Sequence, residues 1–177
     1  MGRIKQLLQL GDKPVIRHCL DALFAAGITD IIVVVGKEEN GITPTLKGLP
    51  LSIAVNDKPH SDMAESVRAG LRRLGPSSGV IVFPSDHPLV LPETIKVIIN
   101  EHRASPDSII IPAYDNRRGH PSLFPRSIID EIFSGITLRD IARKDPVRVK
   151  IVPVRDKGVI LDMDTPEDYS SIIQNYQ

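Results

Sequence analysis

One cysteine, Cys19, stands in 177 residues. The chain can therefore close no internal disulfide and build no cysteine metal cage, which suits a reducing, cytoplasmic setting. Net charge is also lacking. Lysine and arginine total 22 against 22 for aspartate and glutamate, and a formal charge of zero gives no pull toward nucleic acid or a membrane surface. No stretch nears the roughly 20 apolar residues of a membrane-spanning helix. Met1-Gly2-Arg3-Ile4-Lys5 has no long apolar run with a cleavage site, as a secretory leader would. There is no internal repeat, low-complexity tract or clear linker. What is present is ordinary for one soluble domain: 41% hydrophobic and 25% charged residues, at a length that hides roughly two-thirds of the unfolded surface.

Apolar periodicity sets the elements. Pro14 to Ala26 reads as a helix, with Pro14 at its first position and Gly27 as its stop. Ile31-Ile32-Val33-Val34-Val35 is a continuous β-branched run and reads as a strand buried on both faces. Strands are also expected at 51–55, 80–83, 108–113 and 149–154, and helices at 63–74, 92–102 and 165–176. Thr165 caps the last helix, with Pro166 at N1. Residues 115–119 read as an exposed loop, and 134–146 as an irregular region holding a short helix. The alternation predicts an α/β fold, with a mainly parallel sheet between helical layers.

In such sheets ligands bind beyond the carboxyl ends of the strands. Gly36, Lys37, Asn56, Asp86 and the loop leading to His120 follow strands, and Asp162-Met163-Asp164 precedes the last helix. Carboxylates from distant parts of the chain suit Mg²⁺, which takes oxygen ligands and keeps places for substrate phosphates. Each residue also has a structural reading. Asp86 can cap its own turn, Asp162 and Asp164 can favour a helix N-terminus, and Lys5 can be a solvated surface lysine. His120, between Gly119 and Pro121, can fix a turn or meet a substrate. His87 can orient Asp86 or lie exposed, and Arg117-Arg118 can meet phosphate or form a solvated turn.

Taken together and in order, the motifs resemble the molybdenum-cofactor cytidylyltransferases and related MobA-like nucleotidyltransferases. They are Gly2-Arg3-Ile4-Lys5-Gln6-Leu7-Leu8, Gly11-Asp12-Lys13-Pro14-Val15, and Asn56 with Met63-Ala64-Glu65-Ser66-Val67-Arg68. Then come Pro84-Ser85-Asp86-His87-Pro88, Arg118-Gly119-His120-Pro121, and Leu161-Asp162-Met163-Asp164-Thr165-Pro166-Glu167. The resemblance implies a Rossmann-like, three-layer αβα fold. It implies Mg²⁺-dependent transfer of a nucleotide monophosphate, CMP favoured, from a nucleoside triphosphate (CTP favoured) to a small phosphorylated acceptor such as molybdopterin, with release of pyrophosphate. By the same resemblance Asp86 and Asp162 or Asp164 hold the metal, with His87 where the family usually has glutamine. Lys5 meets the triphosphate, Gly119-His120-Pro121 lines the acceptor side, and Asn56 and Ser66 lie near the nucleotide and the acceptor.

Two departures from the family pattern stand out. The first strand and its Leu-Ala-Ala-Gly-type loop, which would precede Lys5, are not in the sequence, so two buried strands are expected to lack a neighbour. A start assigned at an internal methionine is the preferred explanation; a shortened chain repaired by a partner subunit, with homo-oligomer formation, and a degenerate copy are the others. Gly135-Ile136-Thr137-Leu138 replaces a Gly-Asp-containing stretch, which affects acceptor contacts. Two other functions compete: a nucleotidyltransferase-like binding module without turnover, and a sugar-nucleotide transferase using Asp162-x-Asp164 as its metal motif.

Overall fold

The computed structural model describes residues 4–37, 41–58 and 62–176. The Gly2-Arg3 part of the first motif lies outside them. After a 3-10 turn at Lys5–Leu7, a small hairpin pairs β1 (Gln9–Leu10) with β2 (Lys13–Pro14). Helix α1 (Val15–Ala25) follows. Pro14 is its N-cap rather than its first turn, with φ −69° and ψ 150°, because the preceding hairpin holds Pro14 extended. Then come β3 (Ile32–Gly36), β4 (Ser52–Asn56), α2 (Met63–Leu71), β5 (Gly79–Val82), α3 (Pro92–Ala104) and β6 (Ile109–Tyr114).

Residues 115–118 are exposed, as expected, with Gly119 buried, and they are ordered as a hairpin rather than a loop. Asp115 and Asn116 both take positive φ, 47° and 62°, which suits a tight hairpin turn, and Arg117–Arg118 return as strand β7 against β6. Strand β8 (Ser122–Pro125), fully buried, is not anticipated by the sequence pattern. It is four residues long and ends in Pro125, and prolines normally exclude a central strand. Helices α4 (Arg126–Ile129) and α5 (Leu138–Lys144), strand β9 (Val149–Pro153) and helix α6 (Pro166–Tyr176) complete the chain. Helix α5 is the short helix expected within 134–146. A reciprocal capping box opens it, with Thr137 and Asp140 each accepting from the other's backbone N–H.

The fold is α/β, as the alternation predicts. Strands β3 and β4 pair in parallel, as do β6 and β9. The antiparallel β8 is inserted between β5 and β6. Side-chain alternation assigns the two faces. Val80, Val82, Phe124 and Ile109 pack toward α2, α4 and α5. Ile81, Leu123, Ile110 and Val152 pack toward Ile98 of α3. Helix α1 adds Ile16, Leu20 and Leu23 on the α3 side, which makes three layers. Among the described residues, no helix is long and apolar enough to cross a membrane.

The strands do not form one continuous sheet. Among the described residues β3 pairs with β4 alone and β5 with β8 alone. Between β3 and β5 runs an apolar groove of about 1260 Å³.

Candidate functional site

The site is assembled at the carboxyl ends of the strands. Beyond β5 the chain turns through Pro84-Ser85-Asp86-His87-Pro88 and enters α3 at Pro92. Two prolines and the buried His87 and Pro88 hold Asp86 in place. Its two oxygens have different partners. Lys5 Nζ donates to Oδ2 at 2.8 Å, and His87 Nδ1 lies 2.8 Å from Oδ1. A carboxylate only accepts, so His87 carries its proton on Nδ1 there. Burial pushes the Asp86 carboxyl up, but hydrogen bonds from His87 and Lys5 outweigh it and hold its pKa well below the usual carboxylate range.

Lys5 is therefore no solvated surface lysine. Its ammonium also donates to Asp164 Oδ1 at 2.7 Å and so bridges carboxylates from β5's loop and from the segment before α6. Burial lowers the Lys5 pKa, but the hydrogen bonds to Asp164 and Asp86 outweigh burial and keep it above the ordinary lysine value. Asp164 is held by its position ahead of the α6 cap, where Thr165 Oγ1 accepts from Asp168 N–H at 3.1 Å. Asp162 is exposed and lines the same cleft, about 370 Å³, as Asp86, His120 and Asp164, without joining the Lys5 bridge.

Gly119-His120-Pro121 forms the opposite wall. Gly119 is buried against Val159, where a Cβ would come within 2.2 Å of the Val159 carbonyl oxygen. His120 N–H donates to that same oxygen at 2.8 Å, and the His120–Pro121 bond is cis, with Pro121 buried. The His120 ring stands edge-on to His87, centroids 5.0 Å apart. Its Nδ1 is buried and has no hydrogen-bond partner. Burial pushes its pKa down, as does the neighbouring His87, with Asp86 and Asp162 opposing. His120 thus faces the cleft as a neutral ring with one orphaned nitrogen. Arg117 and Arg118 are exposed on β7 and also line this cleft.

Asn56 and Ser66 sit at the mouth of the apolar groove rather than in this cleft. Asn56 is buried at the end of β4, and its Nδ2 donates to Ser66 Oγ at 3.1 Å. Asp86 lines both cavities and so connects the two groups of residues.

Asp156 is a positioning residue that sequence reasoning misses. It is buried and accepts from Leu91 N–H and Thr94 Oγ1 at the start of α3, at 2.8 and 2.7 Å, and from Gly158 N–H at 2.9 Å. It ties the Asp86 loop to the turn that carries Val159. Only an Asp-x-Gly turn signal marks it in the sequence. Cys19, buried with its thiol pushed up to about 12 by burial, is no nucleophile.

A divalent metal fits this chemistry in part. Two hard carboxylates already share one cation, the Lys5 ammonium, and oxygen donors suit Mg²⁺ or Mn²⁺. Among the described residues no three metal-ligating side chains cluster, so phosphate and water oxygens would complete the shell.

A family model described as MobA-like NTP transferase domain matches residues 1–145. The chain is 27% identical over 142 residues to the bifunctional protein GlmU of Syntrophomonas wolfei subsp. wolfei, covering 77% of this chain and 29% of that protein. It is 33% identical over 102 residues to the 2-C-methyl-D-erythritol 4-phosphate cytidylyltransferase of Lachnoclostridium phytofermentans, covering 55% of this chain and 43% of that one. The chain therefore spans less than half the length of these relatives. Among solved structures, Rv0371c of Mycobacterium tuberculosis H37Rv superposes with a TM-score of 0.83 at 26% identity, covering 98% of this chain and 90% of that one. A complex of the same protein with manganese superposes at 0.80, with 26% identity and coverage of 98% and 93%.

Proposed function

Since the chain belongs to the MobA-like NTP transferase domain family, we propose that it transfers a nucleotide monophosphate, CMP before GMP or AMP, from a nucleoside triphosphate to a small phosphorylated acceptor of the molybdopterin kind. The bridge that Lys5 makes between Asp86 and Asp164, two carboxylates that line one cleft with His120, carries this reading.

An oxygen of the acceptor phosphate attacks the α-phosphorus in line. The bond from that phosphorus to the bridging oxygen breaks, and pyrophosphate leaves. No protein nucleophile is needed, in keeping with the inert thiol of Cys19. Lys5 holds the triphosphate by charge-assisted hydrogen bonds. Asp86, kept ionised by His87 and Lys5, and Asp164 or Asp162 would hold a divalent ion. That ion, Mg²⁺ or Mn²⁺, supplies charge neutralisation on the phosphates. Neutral His120 and the backbone of Gly119 and Pro121 position the acceptor. Asn56 lies nearer the nucleotide and Ser66, which accepts a hydrogen bond from it, nearer the acceptor, and the site works in the cytoplasm.

A binding module without turnover is the second reading. The observation favouring it is that the Lys5 ammonium already fills the space between the two carboxylates. Titration of the chain with CTP, GTP and ATP, each with and without Mg²⁺, combined with a pyrophosphate-release assay, separates the readings. Metal-dependent binding of one nucleotide with pyrophosphate release supports the transferase, and binding without release supports the module. Binding that survives intact in Asp86→Ala would remove Asp86 from the site.

A further inference from the structure

Five charged residues line the cleft that holds Asp86 and His120, and they divide into two groups. Asp86 and Asp164 are engaged, each accepting from the Lys5 ammonium. Arg117 and Arg118 are not. Among the described residues neither guanidinium has an ion-pair or hydrogen-bond partner. Asp162 lines the same cleft and makes no ion pair with either arginine. The cleft therefore has a cation-seeking part at Asp86 and Asp164, and two unused cations on β7.

The arginines are carried by anchored backbone. The turn at Asp115 and Asn116, both at positive φ, folds the chain back so that Arg118 lies opposite Ala113 and Arg117 opposite Tyr114. Gly119 N–H then donates to the Pro112 carbonyl at 2.8 Å, and His120 N–H to that of Val159 at 2.8 Å. Successive strand residues leave the ribbon on opposite faces, so two guanidiniums can reach one anion from two sides. Arginine suits such a task, because its planar fork meets phosphate oxygens in pairs and keeps its charge at any working pH. Apolar surface lies in the same cleft. Met63, 53% exposed, joins Pro84, Val159 and Ile160 there. An inorganic ion has no use for these side chains, whereas the organic body of an ester can rest on them.

We propose that Arg117 and Arg118 clamp the dianionic phosphate of an organic phosphomonoester, the acceptor, and so determine which acceptors the site takes. The role in transfer rests on the transferase reading, but the binding step does not. Two positive charges match a phosphomonoester, which is largely a dianion above its second pKa of about 6. They mismatch a sulfate ester or a phosphodiester, each singly charged. The clamp grips two of the three terminal oxygens. The third carries no proton in the dianion and is left to bond to the α-phosphorus as pyrophosphate departs. The triphosphate stays with Lys5, so the two anions have separate cations.

The experiment uses the 177-residue chain and two double variants, Arg117→Gln with Arg118→Gln, and Arg117→Lys with Arg118→Lys. Both side chains are exposed, so the exchanges spare the core, and the lysine pair keeps the charge while losing the fork. Phenyl phosphate, phenyl sulfate and inorganic phosphate are the probes, titrated by calorimetry at about pH 8, where the phosphates are dianions. One phenyl phosphate should bind per parent chain, at least tenfold tighter than phenyl sulfate and tighter than inorganic phosphate. The glutamine variant should lose at least tenfold in phenyl phosphate affinity, with the lysine variant between. CTP with Mg²⁺ should bind the parent and both variants alike. Phenyl phosphate that binds the glutamine variant as tightly as the parent, or binds the parent no better than phenyl sulfate, would overturn the clamp. So would a parallel loss of CTP binding, which would assign the arginines to the triphosphate. CTP that fails to bind the parent would count against the transferase reading alone, because arginine-dependent binding of phenyl phosphate is read without nucleotide.

Discussion

Lys5 and Asp86, 81 residues apart in sequence, meet through a 2.8 Å ion pair. Each is partly shielded, with side-chain exposures of 28% and 18%, so the pair is neither a fully solvated contact nor a dry one. Lys5 shares its charge with Asp164. Removing the lysine leaves two carboxylates facing one space.

That arrangement predicts the outcome of Lys5→Met, which keeps the stem and deletes the charge. Triphosphate binding should weaken at least tenfold, about 1.4 kcal/mol, and the Asp86 carboxyl should titrate higher than in the parent. Calorimetry and carbon-detected NMR of the aspartates measure the two effects. Unchanged binding would return Lys5 to a purely structural role.

Acid stability offers a second test. The folded Asp86 pKa is depressed below its unfolded value. Its contribution is therefore complete above the unfolded value of about 3.9 and is lost as pH falls through the lower folded value. The parent should be more stable than Asp86→Asn near pH 6, and the gap should narrow steadily once the pH drops below about 4. Glu131, held down to about 2 by hydrogen bonds from Arg148 and Lys144, acts in the same direction in both proteins and cancels in the comparison. Urea denaturation across this range reads the gap, and a constant difference would contradict the assignment.

His120 gives a prediction at higher pH. Burial and His87 depress its pKa, so protonation opposes folding. The stability tied to its neutral form is full above about 6.5 and falls as pH drops through the lower folded value. Its ring signals should titrate below 6.5 in NMR, and an anionic nucleotide in the cleft should move that midpoint upward. A midpoint at or above the free value would mean the ring is solvated.

Gly119→Ala tests the wall of the cleft. A Cβ there would lie 2.2 Å from the Val159 carbonyl oxygen, which is backbone and cannot swing away. Overpacking of this kind costs about 1–3 kcal/mol. The same contact accepts the His120 N–H, so acceptor affinity should fall along with the melting temperature. A variant as stable as the parent would show that the 159 turn yields.

Much of this protein is legible from its residues alone. The β-branched run Ile31–Val35, the helical spacing from Val15 to Phe24 and the Thr165-Pro166 start each declare their element by local physics, and the structure keeps them with shifts of a residue or two. The motif residues Lys5, Asp86, His120 and Asp164 are likewise visible as residue types that follow or precede strands and helices. Strand β8 is not, because four residues ending in proline carry no period and take their state from the ladders of β5 and β6. Nor is the choice of Asp164 over Asp162 as the partner of Lys5, since adjacent carboxylates look alike until the α6 cap orients one of them. The orphaned nitrogen of His120 and the latch of Asp156 are likewise decided by packing. Sequence determines which groups can ionise, pair or bind metal, for that is their own chemistry. Only the tertiary fold decides which of them share a cleft, because contacts across 81 and 159 residues depend on how the whole sheet and its helices pack.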